Sequence, residues 1–265
     1  MTRQDEHGSK VGYWVLAAAI LILVLYLYGQ TNTTFLYLLS NGLPPFIALL
    51  AFSAAGLTLR ITWTNRADRS SKVWLGYTMG MLLWFLGETT WAVYSLVLGI
   101  PVPYPSVADV FWLVGYTPLL LALLFQIWPF REAFSTGRFA VLLAFTVVLM
   151  VLVLAILVPP SMEGEQATTT FLVSLAYPLL DVLLLGLAFL SFAFFMKGTL
   201  WRPMLFVTAG IILTTSADIL FSLAVLGGTY YNGHPLELLF HWSYLAFALG
   251  FYIQLKHAQR LGRPV

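Results

Sequence analysis

Five carboxyl groups stand out in a chain that is otherwise strongly apolar: Glu88, Asp109, Asp181, Asp218 and Glu237. Three of them carry aromatic or imidazole neighbours at helical spacing. Trp84, Glu88 and Trp91 fall on one helix face, as do Asp109, Trp112 and Tyr116, and again Glu237, His241 and Tyr244. A carboxylate set between Trp and Tyr rings suits an amphipathic or cationic ligand. The acid pairs with the charge, and the ring faces attract it through their quadrupoles. A plainer reading stands beside this one. Asp109 and Glu237 fit helix starts, where the dipole favours a negative charge. Interfacial Trp and Tyr fit the aromatic belt of a membrane protein. Glu88, Asp181 and Asp218 fit a polar network that locks helices together.

Other chemistries find little support. His241 is the only histidine inside an apolar run, so bis-histidine haem ligation lacks its second ligand. No lysine lies in mid-run, which excludes a retinal Schiff base. Cysteine is absent, so there is no thiolate metal site, disulfide framework or Cys nucleophile. There is no HExxH, no GxSxG and no Gly-rich phosphate loop. The expectation is a non-enzymatic protein with no cofactor, no metal and no nucleic-acid partner.

The elements that must hold these acids follow from composition. Of the 265 residues, 60% are hydrophobic and 9% charged, and the mean hydropathy is +0.87. This is the composition of an all-α, polytopic membrane protein. Residues 1–10 form a polar tail, too polar for a signal-peptide core. Eight apolar runs follow, at about 11–29, 35–62, 73–98, 107–128, 139–158, 168–196, 203–226 and 235–257. Each can cross a bilayer, which takes ~20 residues. Asn32-Thr33-Thr34 matches a glycosylation sequon but reads as an ordinary polar loop.

Charge placement sets the orientation. The 13 Lys and Arg residues are Arg3, Lys10, Arg60, Arg66, Arg69, Lys72, Arg131, Arg138, Lys197, Arg202, Lys256, Arg260 and Arg263. With eight crossings, all of them fall on one side. The positive-inside rule makes that side cytoplasmic and puts both termini there. The lipid bilayer of the cell membrane is then the first partner, and a homodimer is compatible with the sequence. The five acids fall in the opposite half, with Glu88 ~15 Å below the outer boundary at helical rise. No basic residue is there to pair with them. They must face the bundle interior, bond to one another while protonated, or meet a cation.

The acids also recur. A shift of 128 places Gly99 on Gly227, Asp109 on Glu237, Tyr116 on Tyr244 and Gln126 on Gln254. A shift of 130 places Thr78 on Thr208, Gly80 on Gly210 and Glu88 on Asp218. The outer loop is expected to absorb the difference. The domain reading is two tandem four-helix units, 11–130 and 131–257, with a cytoplasmic tail at 258–265. An even number of helices per unit makes the copies parallel, related by an axis along the membrane normal. Between runs three and four, Ser106 followed by Asp109 predicts a capping box at a helix start.

Three stretches carry a family resemblance. Pro105-Ser106-Val107-Ala108-Asp109-Val110-Phe111-Trp112-Leu113 resembles a P-S-x-A-D-x-x-[YFW]-L signature. Tyr177-Pro178-Leu179-Leu180-Asp181-Val182-Leu183-Leu184 resembles Y-P-x-x-D-x-x-L. Ala217-Asp218-Ile219-Leu220-Phe221, followed by Gly228-Thr229-Tyr230, resembles [GA]-D-x-x-[YF] before a Gly-x-Tyr loop. Together, over about 35–257, they resemble the N-terminal membrane module of GGDEF/EAL cyclic-di-GMP proteins and of some sensor histidine kinases. The resemblance implies a sensory input module. No output domain is read after Val265, so a stand-alone sensor signalling through a separate kinase or cyclase is the expectation. Its unknown small ligand would sit among the acids and aromatics above. A small proton-coupled transporter and a ligand-free scaffold subunit are the alternatives.

Overall fold

The computed structural model describes residues 5–63, 68–133, 136–162 and 168–261. Arg3, Arg66 and Arg263, used above to orient the chain, lie outside the described residues. Eight long helices follow one another: α1 (Asp5–Gly29), α2 (Thr33–Thr62), α3 (Arg69–Ala92), α4 (Val107–Ile127), α5 (Thr136–Met162), α6 (Thr168–Phe195), α7 (Trp201–Leu226) and α8 (Glu237–Leu261). No strand occurs among the described residues. Seven of the helices are long and apolar enough to cross a membrane. The exception is α3, which carries Arg69, Lys72 and Glu88 among Gly, Thr, Tyr and Trp residues. It packs between α2 and α4, so little of its surface would have to dissolve in lipid. Large apolar side chains cover the outside of the bundle: Trp14 is 75% exposed, Phe46 70% and Val141 68%. A water-facing surface would not carry them in such density.

Several helix limits differ from the sequence reading: α3 begins at Arg69 and α8 runs on to Leu261, into the stretch read as a tail. Helix α1 begins at Asp5, inside the stretch read as a polar tail, and α5 runs on to Met162. Backbone hydrogen bonding does not stop where the apolar run stops.

The helices approach each other through glycines. Between lipid-soluble helices the hydrophobic effect contributes little, and close van der Waals packing over small residues replaces it. A Cβ on Gly76 would sit 2.6 Å from the Pro118 carbonyl oxygen and 2.9 Å from Ala122 Cβ. One on Gly80 would sit 2.4 Å from the Leu119 side chain. The α7–α8 pair repeats the scheme: Gly210 lies against Phe247, and Gly250 against Phe206 and the Pro203 carbonyl. Both pairs are antiparallel.

Six helices close a ring in the order α2, α3, α4, α6, α7, α8 and back to α2. The α2–α8 and α4–α6 seams join parallel helices. In the first, Ser40 meets Glu237 and Thr58 meets Phe251; in the second, Tyr177 meets Asp109 and Tyr116 meets Asp181. The outlying helices are placed differently. Helix α1 lies against α2 and α8, whereas α5 lies against α6 and α7.

Local chemistry sets the elements around the acids. Ser106 caps α4 as its spacing predicts: the Ala108 N–H donates to its Oγ at 3.2 Å, and its own N–H donates to Asp109 Oδ2 at 2.6 Å. Asn32 caps α2 by accepting from the Phe35 N–H at 3.1 Å, which gives the sequon asparagine a structural role. Proline interrupts the hydrogen bonding of α2 at Pro44 and of α6 at Pro178. In each helix the carbonyl one turn back, at Ser40 or Ser174, loses its helical donor. A π-helical turn at Val93–Val97 continues α3. It bears on the two shifts. One residue more separates Glu88 from Gly99 than separates Asp218 from Gly228, and Gly99 and Gly228 share positive φ values of 63° and 65°. The π turn lies between Glu88 and Gly99 and accommodates one residue more than a regular α-helical turn. Ten positions separate Gly99 from Asp109 and nine separate Gly228 from Glu237.

Candidate functional site

A cavity of about 580 Å³ opens among α2, α3, α4, α6, α7 and α8, with Leu157 of α5 at its edge, at the acid-bearing end of the bundle. From α3 it is lined by Trp84, Glu88 and Trp91, and from α4 by Asp109, Trp112 and Tyr116. Asp218 comes from α7, and Glu237, His241 and Tyr244 come from α8. Ten of the eleven residues singled out in the sequence therefore meet at one surface. Asp181 is the exception. It is fully buried behind the wall and meets the lining through Tyr116, whose hydroxyl donates to Asp181 Oδ1 at 2.6 Å, and through the Asp218 carboxyl beside it. The long phenol of Tyr116 spans the distance that the shorter Asp181 side chain leaves.

Glycine seats the aromatic wall. A Cβ on Gly87 would fall 2.5 Å from Trp112 Nε1, and one on Gly115 would fall 2.5 Å from Trp84 Cδ1. Each indole thus lies on the bare backbone of the opposite helix. Trp84 Nε1 donates to the Trp112 carbonyl at 3.1 Å, and Trp91 Nε1 donates to Asn41 Oδ1 at 2.9 Å. With their N–H groups engaged, Trp84 and Trp91 are held in place.

The four lining acids divide into two kinds. Glu237 accepts four hydrogen bonds. Tyr26 Oη and Ser40 Oγ donate to Oε2 at 2.9 and 2.7 Å, while Tyr230 Oη and the Gly233 N–H donate to Oε1, both at 2.9 Å. Asp109 accepts from Ser106 N and Oγ on Oδ2 and from Tyr177 Oη on Oδ1. These two are filled by the protein. Glu88 accepts from Tyr244 Oη at 2.8 Å, with the Trp112 indole beside it. Asp218 has Tyr116 Oη at 3.4 Å, the proton of which goes to Asp181, and the Asp181 carboxyl beside it. An ionised carboxylate offers about four acceptor positions, so both retain capacity that the protein does not use. No Lys or Arg lines the cavity, and among the described residues no acid of the cavity forms an ion pair.

Two loop tyrosines close the mouth. Tyr104, ahead of α4, meets Ser174 Oγ at 3.0 Å, and Tyr230, ahead of α8, holds Glu237. Burial pushes both phenols up from their ordinary range, and for Tyr230 the neighbouring Glu237 adds to the shift. Both remain hydrogen-bond donors at neutral pH. The sequence reading placed Tyr177 and Tyr230 inside quoted motifs but gave them no role, and it passed over Tyr104, Ser40 and Thr214. Apart from Tyr230, seven residues before Glu237, they share a signal: a hydroxyl within about a turn of Pro44, Pro105, Pro178 or an acid.

Below the acids the bundle is closed. Met81, Leu123, Phe247 and Phe251 have almost no exposed surface and pack under Trp84. Beneath them Tyr77 Oη donates to Gln126 Oε1 at 2.8 Å. Comparison with known proteins returned no matching family model, no matching curated protein and no matching solved structure.

Proposed function

We propose that this chain is a membrane sensor or receptor-like module that binds a small organic cation in the acid-lined cavity. The observation that carries the reading is the cavity itself: about 580 Å³, walled by Trp and Tyr, with carboxylates of unused capacity and no basic side chain. Such a site attracts positive charge through ion pairing and ring faces together. The three motifs that resemble cyclic-di-GMP and histidine-kinase input modules run through its wall at Asp109, Tyr177 and Asp218. The packed floor favours a receptor over a carrier, because a carrier needs a route onward from its site.

The test is a thermal-stability screen of the purified chain with organic cations and with neutral and anionic amphiphiles of matched size. A ligand at a hundred times its Kd adds about 2.7 kcal/mol, on the order of 5–10 °C for a chain of this length. Stabilisation confined to cations is expected. Equal stabilisation by anions would sink the reading.

The same proposal places the chain in the cell membrane with both termini cytoplasmic and the cavity opening outward. Reporter fusions after Val265 and within 66–72 are expected to give a cytoplasmic signal, and one within 227–234 an external signal. The reverse pattern at any of the three would overturn the orientation.

The proposal includes duplication of a four-helix unit. The wall supports it, since Tyr244 donates to Glu88 at 2.8 Å and Tyr116 Oη lies 3.4 Å from Asp218, the same pair of side chains with the halves exchanged. The glycine contacts support it too: Gly80 on Leu119 corresponds to Gly210 on Phe247, and Gly76 with Ala122 to Phe206 with Gly250.

A further inference from the structure

The four lining acids do not compete equally for a ligand. Asp109 and Glu237 are occupied by protein donors on both oxygens. Glu88 and Asp218 are not, and they are counterparts in the two halves of the chain. Each stands with one tyrosine from the other half, Glu88 with Tyr244 and Asp218 with Tyr116. The cavity thus presents the same acid–phenol arrangement twice. A second feature marks the Asp218 side. Thr214, one turn before Asp218 on α7, lines the cavity at 7% exposure, and its hydroxyl has no hydrogen-bond partner. Behind it, out of the cavity, Asp181 lies against the Asp218 carboxyl and Thr215. Buried polar atoms are nearly always paired, so this wall lacks a donor that a ligand would bring.

The charge count matters as much. A monocation at this site answers one open carboxylate and leaves the other buried without a counter-charge. A ligand with a positive group at each end answers both. Much of the cavity wall is aromatic, with Trp84, Tyr244, Phe221 and Phe240, or aliphatic, with Leu157, Val225 and Leu226. Those surfaces suit a hydrocarbon spacer.

We propose that the cavity takes an organic dication, with one ammonium group at Glu88 and Tyr244 and the other at Asp218 and Tyr116. This rests on the reading of the cavity as an organic-cation site and specifies its ligand class.

The experiment titrates the full chain, reconstituted in lipid nanodiscs, with unbranched α,ω-diamines of graded length and with n-alkylamines of matched carbon count. Binding is read from intrinsic tryptophan fluorescence and confirmed by calorimetry. At one diamine length, affinity is expected to exceed that of the matched monoamine at least about tenfold, since a second ion pair is formed. Glu88→Gln and Asp218→Asn are each expected to weaken that diamine by the same factor of at least about ten, down to the monoamine level, and to leave the monoamine within about threefold. Equal affinity of the two series in the unaltered chain overturns the dication and leaves the cation site standing. So does a single substitution that abolishes monoamine binding, because both acids would then hold one ammonium group. Failure of both series to bind the folded chain removes the cation site and this inference with it. The comparison between series on the unaltered chain needs no variant, so it holds if either substitution prevents folding.

Discussion

Replacing Glu237 with alanine is expected to lower stability by about 3–5 kcal/mol, more than the loss of any other acid in the cavity. The reason is the number and reach of its partners. Tyr26 belongs to α1, Ser40 to α2, Tyr230 and Gly233 to the loop before α8, and all four donate to this one carboxylate. The main-chain carbonyl of Glu237 also meets His241 Nδ1 at 2.6 Å, and Tyr26 Oη lies 3.3 Å from His241 Nε2. Removing the carboxylate strands several buried donors at once, and each stranded donor costs about 1–3 kcal/mol. The loss should appear as a fall in thermal midpoint on the order of 10 °C in detergent or nanodiscs. Glutamine separates this role from ligand binding. Each oxygen of Glu237 receives two donors, so an amide nitrogen in either place would face two N–H or O–H groups. Glu237→Gln is therefore expected to cost about 2 kcal/mol. Glu88 accepts from Tyr244 with the Trp112 indole beside it, and glutamine keeps an oxygen for the Tyr244 bond. Glu88→Gln is expected to leave the midpoint nearly unchanged. Equal midpoints for Glu237→Gln and Glu88→Gln would refute the division of the acids into filled and open.

The acids were legible in the sequence because two simple rules apply to them. Helical spacing puts Trp84, Glu88 and Trp91 on one face, and a carboxyl without a basic partner cannot face lipid at low cost. Those rules bring side chains to the interior without saying how far each one reaches. Asp181 shows the gap: its depth along α6 follows from counting residues, but its place behind Tyr116 depends on how α4 and α6 meet. Glu237 shows a second gap. Its position before α8 reads as a helix start, and its main role is fixed by Tyr26 and Ser40, some two hundred positions away in the chain. The π turn at Val93–Val97 carries no residue signature, and only the unequal spacing from Glu88 to Gly99 and from Asp218 to Gly228 betrays it. The glycines are an intermediate case. Gly76 and Gly80 form a G-x-x-x-G pair that can be read directly as a helix-contact face. Which helix it contacts cannot be read, because Pro118, Leu119 and Ala122 have no complementary pattern of their own.

That glycine face gives the second large effect. Gly76→Val is expected to destabilise the protein by at least about 2–3 kcal/mol, or to prevent its accumulation in the membrane. The new Cβ would stand 2.6 Å from the Pro118 carbonyl oxygen and 3.2 Å from Ala122 Cα, both backbone atoms that no rotamer change can move. Relief requires α3 and α4 to separate along their whole contact. Separation would lift Trp84 from Gly115 and Trp112 from Gly87, and so open the wall that holds Glu88. Gly80→Val meets a Leu119 side chain instead, at 2.4 Å, which can give way in part, so its cost should be smaller. Gly12 has nothing within 4 Å of a Cβ, and Gly12→Val serves as the control for mutating a helical glycine. The measurement is thermal melting of the three variants beside the unaltered chain, followed by tryptophan fluorescence of those that fold. The expected order of stability is Gly12→Val near the unaltered chain, then Gly80→Val, then Gly76→Val. A Gly76→Val protein as stable as the Gly12 control would mean that α3 and α4 do not meet backbone to backbone. The indoles would then lose the seats that place them beside Glu88, and the cavity its aromatic wall.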